Sequence, residues 1–198
     1  MTTAIIGAVF AGGASRRLGS DKATALVEGR TLLERAVTLL DGFFPRVVVS
    51  AGASTAISTA HEVVRDRRPD HGPLAGLEAV LEAASGAPVF VLACDLPLID
   101  ERVVRRIVQT AGGDVLAGDP RAWIASGAER VQPLCGVYAA DCLGAVRHNL
   151  EIARLSMRGL LDRLEVALVD VGDLSSEVLL NVNRPEDLAR AREAVGER

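Results

Sequence analysis

The feature that most constrains the fold of this chain is the alternation of short apolar runs with segments of helical periodicity. One run covers residues 4–10 (AIIGAVF), and a second, nearly continuous run covers residues 88–93 (PVFVLA). Strands that are apolar at almost every position are covered on both faces, which is typical of a parallel sheet between layers of helices. The pattern therefore predicts an α/β fold of βα units around a mostly parallel sheet.

The same patterns predict the individual elements. Strands are predicted at residues 4–10, 46–50, 62–65, 88–93, 114–117, 134–138 and 166–169. Helices are predicted at residues 31–41, 73–84, 101–110, 141–153, 157–164 and 185–195. Thr31 and Glu34 have the spacing of a capping box at the start of the first helix. Residues 118–132 lose the pattern and are predicted to form a long loop or variable excursion, within one domain that spans residues 1–198.

Composition excludes several classes of protein. The 198 residues are 49% hydrophobic, which argues against a disordered chain. Only 3% are aromatic and the net charge is −4, so we expect no nucleic-acid partner. No apolar run is long enough to span a bilayer, and we expect no membrane association. The three cysteines lack zinc or disulfide spacing, and with no signal segment the sequence predicts a cytoplasmic protein.

A loop directly after the first predicted strand has the composition of a phosphate-binding segment. Gly12 and Gly13 lack a Cβ, so the backbone can approach a phosphate chain closely. Successive N–H groups in such a turn can form an anion-binding concavity. Arg17 and Lys22 add positive charge, Arg17 as a planar fork and Lys22 as a compact point charge. The loop matches neither the P-loop nor the dinucleotide-binding pattern, yet it predicts a polyphosphate ligand.

Three further segments carry residues that suit a nucleotide site. Gly76 follows a Gly-Pro turn and would let a base or ribose approach, although such a turn also simply starts a helix. Asp95 follows the second apolar run, where it suits Mg²⁺ or, alternatively, caps a turn. Asn181 and Asn183 alternate along the chain and can face the same cleft, although Asn183 could also be a helix N-cap.

Taken together, five segments resemble the molybdenum cofactor guanylyltransferase family. They are residues 12–22 (GGASRRLGSDK), 72–76 (GPLAG), 94–97 (CDLP), 133–138 (PLCGVY) and 181–188 (NVNRPEDL). The first is shared with many nucleotidyltransferases of the same fold, whereas the later segments, in this order, narrow the resemblance. Phe10 and Leu18 stand where the family more often has Leu and Met.

The resemblance implies a fold, a reaction and a set of residues. The fold is a Rossmann-like, glycosyltransferase-A-like nucleotidyltransferase domain, a three-layer sandwich. The reaction joins GMP from GTP to the phosphate of molybdopterin or the molybdenum cofactor, releases pyrophosphate and uses Mg²⁺. Among the residues carried over or argued above, those expected to bind GTP are Phe10, Ala11, Gly12, Gly13, Lys22, Asp66, Gly76 and Asp95. Those expected to act in catalysis are Arg17, Lys22 and Asp95, with Asp95 as the metal ligand. Those expected to bind the acceptor are Asn181 and Asn183.

Other functions stay open at the level of sequence. A related nucleotidyltransferase could use CTP or a sugar-phosphate acceptor, because base choice depends on a few pocket contacts. A binding-only nucleotide module is a further alternative, although Arg17, Lys22 and Asp95 are all present, which favours an enzyme. The resemblance also implies molybdoenzymes or other cofactor-biosynthesis proteins as candidate partners.

Overall fold

A computed structural model describes residues 4–11, 22–112, 121–127, 130–175 and 177–196. The strands are β1 (Ile6–Phe10), β2 (Leu26–Val27), β3 (Arg30–Thr31), β4 (Val47–Ala51), β5 (Glu62–Arg65), β6 (Val89–Ala93), β7 (Ala122–Gly127), β8 (Arg130–Tyr138) and β9 (Val166–Asp170). The helices are α1 (Leu32–Asp41), α2 (Gly72–Ala83), α3 (Glu101–Ala111), α4 (Cys142–Glu151), α5 (Met157–Leu161) and α6 (Pro185–Gly196).

Seven of these strands form one central sheet in the order β5-β4-β1-β6-β8-β7-β9. β1 lies in parallel between β4 and β6, β5 continues the parallel set, and β9 is parallel to β7. Among the described strands of this sheet, only β8 runs antiparallel to both of its neighbours, β6 and β7. The carboxyl ends of the parallel strands therefore share one edge, and β8 begins at that edge. The predicted α/β fold with a mostly parallel sheet is confirmed.

Helices cover both faces of the sheet. A Cβ at Gly7 in β1 would lie 2.9 Å from Phe44 and 3.4 Å from Leu40, so Gly7 faces α1. Phe10, an odd number of residues further along the strand, points to the other face and contacts α2 at Gly76. α3 approaches the end of α1, since Arg105 Cζ lies 5.4 Å from the centre of the ring of Phe43, two residues after α1. α4 packs against α2, so the helices form two layers, and the sheet between them is the third.

The capping box predicted at the start of α1 is confirmed. The Thr31 hydroxyl accepts a hydrogen bond from the Glu34 backbone N–H at 3.1 Å. The Glu34 carboxylate in turn accepts from the Thr31 backbone N–H at 2.8 Å. This capping box satisfies two N–H groups that have no partner inside the helix.

The prediction of a long loop at residues 118–132 is wrong for its described part. Residues 122–127 form β7, and residues 130–132 begin β8. The register between the two strands shifts between Ile124 and Ala125, which breaks the regular alternation by which a strand is recognised. Pro133 lies at that shift, where a missing backbone donor costs no ladder hydrogen bond.

Other elements differ from expectation in smaller ways. The short hairpin of β2 and β3 was not predicted. α5 ends at Leu161, earlier than expected. The strand predicted at residues 114–117 lies outside the described residues. The organisation of residues 1–198 as one domain stays a prediction.

Within the described ranges, none of the helices combines the length and apolar character needed to cross a bilayer.

Candidate functional site

The carboxyl ends of β4, β1 and β6 are joined by backbone hydrogen bonds. The Ala11 N–H donates to the Ser50 carbonyl at 2.9 Å, and the Cys94 N–H donates to the Phe10 carbonyl at 3.1 Å. Phe10 and Ala11 are buried at this edge. Ligand clefts in open α/β sheets form outside the carboxyl ends of the strands, and Ala11, which directly precedes the predicted phosphate-binding residues in the chain, lies at that edge.

A first group of side chains meets where β4 and β5 end beside α2. A Cβ at Gly76 would lie 2.7 Å from Ser50 Oγ, 3.0 Å from Phe10 Cε1 and 3.4 Å from Asp66 Oδ1. Gly76 is itself buried. The absence of a side chain there lets α2 pack directly against the strand ends, and this close packing gathers Phe10, Ser50 and Asp66 into one corner.

Asp66 has an unusual environment for a carboxylate. Its Oδ1 atom is buried and has no hydrogen-bond partner among the residues that the structure describes. Burial raises the pKa of the Asp66 carboxyl above its ordinary value of 3.8, because a charged oxygen is taken out of water without compensation. A buried acceptor of this kind is stabilised by a ligand that brings N–H donors.

The segment that carries Asp66 is held by ion pairs that the sequence analysis missed. Arg68 Nε lies 3.1 Å from Glu78 Oε2, and Glu78 is buried on α2. Arg147 of α4 approaches the same carboxylate, with Nε 3.6 Å from Oε1. A charged residue inside an otherwise apolar helix face was the available signal, since buried glutamates are rarely unpaired. These contacts fix the chain between β5 and α2.

A second group forms around Asp95, directly after β6. The Val182 N–H donates to the Asp95 carbonyl at 2.8 Å, which places the 181–183 segment beside Asp95. Gln132 Nε2 donates to Asn181 Oδ1 at 3.2 Å. Asp95, Asn181 and Asn183 are thus brought together by contacts between residues far apart in the sequence.

The start of α6 bears on the alternative role of Asn183 as a helix cap. The carboxylate of Asp187 accepts hydrogen bonds from the backbone N–H groups of Asn183 and Arg184, each at 3.0 Å. Asp187 therefore satisfies these two N–H groups from within the first turn of the helix. An acidic side chain is also favourable there because of the helix dipole.

Asp95 fits a divalent cation that is held mainly by its substrate. Across the ranges that the structure describes, no three His, Cys, Asp or Glu side chains cluster as a metal site. Mg²⁺ commonly binds through one or two carboxylates, with phosphate oxygens and water as its other ligands. A single carboxylate at the carboxyl end of a central strand is consistent with that mode.

Only some of the remaining predicted site residues lie within the described ranges. Gly12, Gly13 and Arg17 lie outside the described residues. Lys22 begins a single 3-10 turn, Lys22–Thr24, which leads into the β2–β3 hairpin. Apart from Ala11 and Lys22, the described site residues fall into the two groups above, which also include Ser50, Glu78 and Gln132.

Solved structures of similar architecture support the nucleotidyltransferase fold. Molybdopterin-guanine dinucleotide biosynthesis protein A from Archaeoglobus fulgidus matches with a TM-score of 0.79 at 22% identity, over 98% of this chain and 100% of that one. A protein from Mycobacterium tuberculosis H37Rv, solved as a complex with manganese, matches with a TM-score of 0.63 at 17% identity, over 97% and 100% of the two chains.

Comparison at the level of sequence identifies the family more specifically than the likeness of the folds does. A protein of Pelotomaculum thermopropionicum named "Probable molybdenum cofactor guanylyltransferase" is 32% identical over 193 residues, covering 94% of this chain and 91% of the relative. The family model described as "MobA-like NTP transferase domain" matches residues 7–168, from β1 to β9. This chain belongs to the MobA-like NTP transferase family.

Proposed function

We propose that this protein transfers GMP from GTP to the terminal phosphate of molybdopterin or its molybdenum-bearing form, with release of pyrophosphate. The family and the name of the relative that matches nearly the whole chain support this reaction. The observation that supports it from the structure is the buried oxygen of Asp66 beside the end of β4, which has no hydrogen-bond partner among the described residues.

Asp66 offers a physical basis for choosing guanine. Guanine presents two adjacent donors, the N1–H and the 2-amino group, which one carboxylate can accept together. Adenine has an acceptor at N1, and cytosine has an acceptor at N3, so neither offers this pair. We therefore assign the corner of Phe10, Ser50, Asp66 and Gly76 to the base, with α2 closing one side.

The phosphates would lie along the edge from β1 to β6. There an oxygen of the acceptor phosphate attacks the α-phosphorus of GTP, a new P–O–P linkage forms, and the bond to the β-phosphate breaks as pyrophosphate leaves. Arg17 and Lys22 follow β1 in the chain and are assigned to neutralise the charge on the α-phosphate and the leaving pyrophosphate. This chemistry depends on positioning and charge stabilisation rather than on a protein nucleophile.

We assign Asp95 as the ligand of Mg²⁺. When bound there, Mg²⁺ would supply positive charge to the phosphate oxygens and help to align the reacting groups. Asn181 and Asn183, held next to Asp95 through Val182, are assigned to the acceptor. GTP as substrate makes the cytoplasm the compartment that we propose, and molybdoenzymes or cofactor-biosynthesis proteins are the partners proposed to receive the product.

The test is pyrophosphate release with Mg²⁺ and each of the four nucleoside triphosphates, in the presence and absence of molybdopterin. Release is expected only with GTP and molybdopterin together. Release with CTP instead would keep the reaction class and overturn the role of Asp66 in guanine recognition. GTP binding without release in the presence of molybdopterin would indicate a binding-only module.

A further inference from the structure

A cavity of about 600 Å³ lies at the same edge of the sheet as the candidate site, beyond the Asn181 side of Asp95. It is bounded by the ends of β7 and β9, the start of β8 and the chain leading to α6. The residues of its lining that matter here are Gly127, Arg130, Asp170, Glu177, Leu180 and Arg190.

The cavity is continuous along the chain with the second group of site residues. Leu180 lines it and directly precedes Asn181. Arg130 also lines it and shares a face of β8 with Gln132, which bonds Asn181. The cavity lies at the ends of three neighbouring strands, β8, β7 and β9. Because neighbouring strands are about 4.8 Å apart, its near side is about one strand spacing from β6. The base corner at β4 and β5 lies in the opposite direction along the sheet.

The cavity is lined by both charged and apolar residues. Glu177 and Arg190 form an ion pair, and one Asp170 oxygen accepts from the Gly172 N–H at 2.9 Å. The Arg130 side chain is exposed, and its guanidinium makes no hydrogen bond or ion pair within the part of the chain that the structure describes. The chain from Val178 to Leu180 contributes apolar residues. The cavity thus combines one uncommitted cation, carboxylates that can accept N–H groups, and an apolar wall.

These properties match the end of the acceptor that is remote from its phosphate. That end is a flat pterin with ring N–H and amino donors, fused to a pyran ring that bears two anionic sulfurs. We propose that the cavity holds this pyranopterin–dithiolene end and that the Arg130 guanidinium contacts the anionic sulfur pair. The inference rests on the proposed function, and it makes Arg130 a specificity-determining residue for the acceptor.

The test compares equilibrium binding of molybdopterin and of dephosphorylated molybdopterin to the full chain by anaerobic dialysis. Arg130→Gln is expected to weaken both ligands by about tenfold or more, as loss of a charge-assisted hydrogen bond would. Arg130→Lys should recover part of that loss. Arg158→Gln is the matched control, because Arg158 is an exposed arginine on α5. Unchanged GTP affinity in all variants shows that they are folded.

Each contrary outcome has a separate meaning. Equal binding of both ligands to Arg130→Gln and the wild type would overturn the inference. A loss confined to the phosphorylated ligand would also overturn it, because Arg130 would then contact the phosphate. Pyrophosphate release by the wild type from GTP and molybdopterin, alongside either result, would leave the proposed function intact. Absence of both release and molybdopterin binding in the wild type would overturn both proposals.

Discussion

Asp66 is unfavourable for the fold, and in the proposed function it is useful for binding. A carboxylate oxygen without a donor is costly when buried, and the raised pKa of Asp66 reflects that cost. Guanine donors would remove the cost at the moment of binding, so part of the selectivity for guanine would come from an acceptor that has no partner among the described residues.

Asp66→Asn is expected to weaken GTP binding by about tenfold or more, because an amide can accept only one of the two guanine donors with its single oxygen. Without nucleotide, the variant should be more thermostable than the wild type at neutral pH. The folded-state pKa of Asp66 is raised, so its ionisation destabilises the fold at high pH. The advantage of the variant should therefore disappear as the pH falls below the ordinary value of 3.8.

The control for this experiment is Asp70→Asn. Asp70 lies in the same connection to α2, is exposed, and has a positive φ of 63° that asparagine also tolerates. Calorimetric GTP titrations and melting curves from pH 3 to pH 8 supply both readouts. A variant at position 66 that binds GTP as tightly as the wild type would remove Asp66 from the base site.

Asp95 is predicted to matter through charge and not through packing. Asp95→Asn keeps the size of the side chain and should lower turnover by about 100-fold or more, since metal-assisted charge stabilisation is worth several kcal/mol. Mn²⁺ binding in the presence of GTP, followed by electron paramagnetic resonance, should weaken in parallel. Asp162→Asn, an exposed position after α5, is the control. Normal turnover and Mn²⁺ binding in Asp95→Asn would exclude Asp95 as the metal ligand.

Among the elements, α1 illustrates a helix start whose strength depends on pH. Hydrogen bonds from the Thr31 backbone N–H and hydroxyl hold the pKa of Glu34 below its ordinary value of 4.5. A lowered pKa in the folded state means that the ionised carboxylate stabilises the protein above the ordinary value. That stabilisation is lost as the pH falls through the lowered folded-state pKa.

Glu34→Gln is therefore expected to lower the melting temperature at pH 7, with the difference from the wild type shrinking below pH 4.5. Glu193→Gln, at an exposed position on α6, is the control substitution. Differential scanning calorimetry across that range provides the measurement. A difference that stays constant from pH 3 to pH 7 would mean that ionisation of Glu34 does not contribute to the cap.

At the scale of the whole molecule, a small second core attaches the proposed acceptor side of the site to the rest of the fold. Its buried residues come from the β2–β3 region, α1, the chain after β6 and the C-terminal segment: Ala25, Val27, Leu32, Leu98, Leu180, Val182 and Ala191. Val182 is fully buried there, while its neighbours Asn181 and Asn183 lie at the site. Packing in this core therefore sets the position of both asparagines relative to Asp95.

Val182→Ala is predicted to destabilise the protein by about 1.5–3 kcal/mol through lost burial and a residual cavity. It should also raise the KM for molybdopterin severalfold while leaving the KM for GTP unchanged. Val104→Ala is the matched control, since Val104 is equally buried but lies in α3 within the main core. A similar loss of stability without any change in either KM is expected for it. Identical kinetic effects of the two variants would mean that the second core does not position the acceptor site.

Sequence alone determined those features of this protein that depend on neighbouring residues. Three such features can be recognised locally, because each requires only a short run of residue types. They are the capping box of α1, the apolar strands β1 and β6, and the charged glycine-rich segment at residues 12–22. The order of the five family segments added the reaction class. Together these sufficed for the α/β architecture and for a list of site residues.

Tertiary structure decided what depends on residues distant in the chain. The Val182–Asp95 hydrogen bond, the pairing of Gln132 with Asn181 and the Arg68–Glu78 ion pair each join separate elements. Strand β7 escaped prediction because its pairing with β8 shifts register and so hides the periodicity. Asp66 is the clearest case: its residue type is plain from sequence, but its lack of a described partner is a property of the packed fold, since only burial removes the water that would otherwise satisfy it.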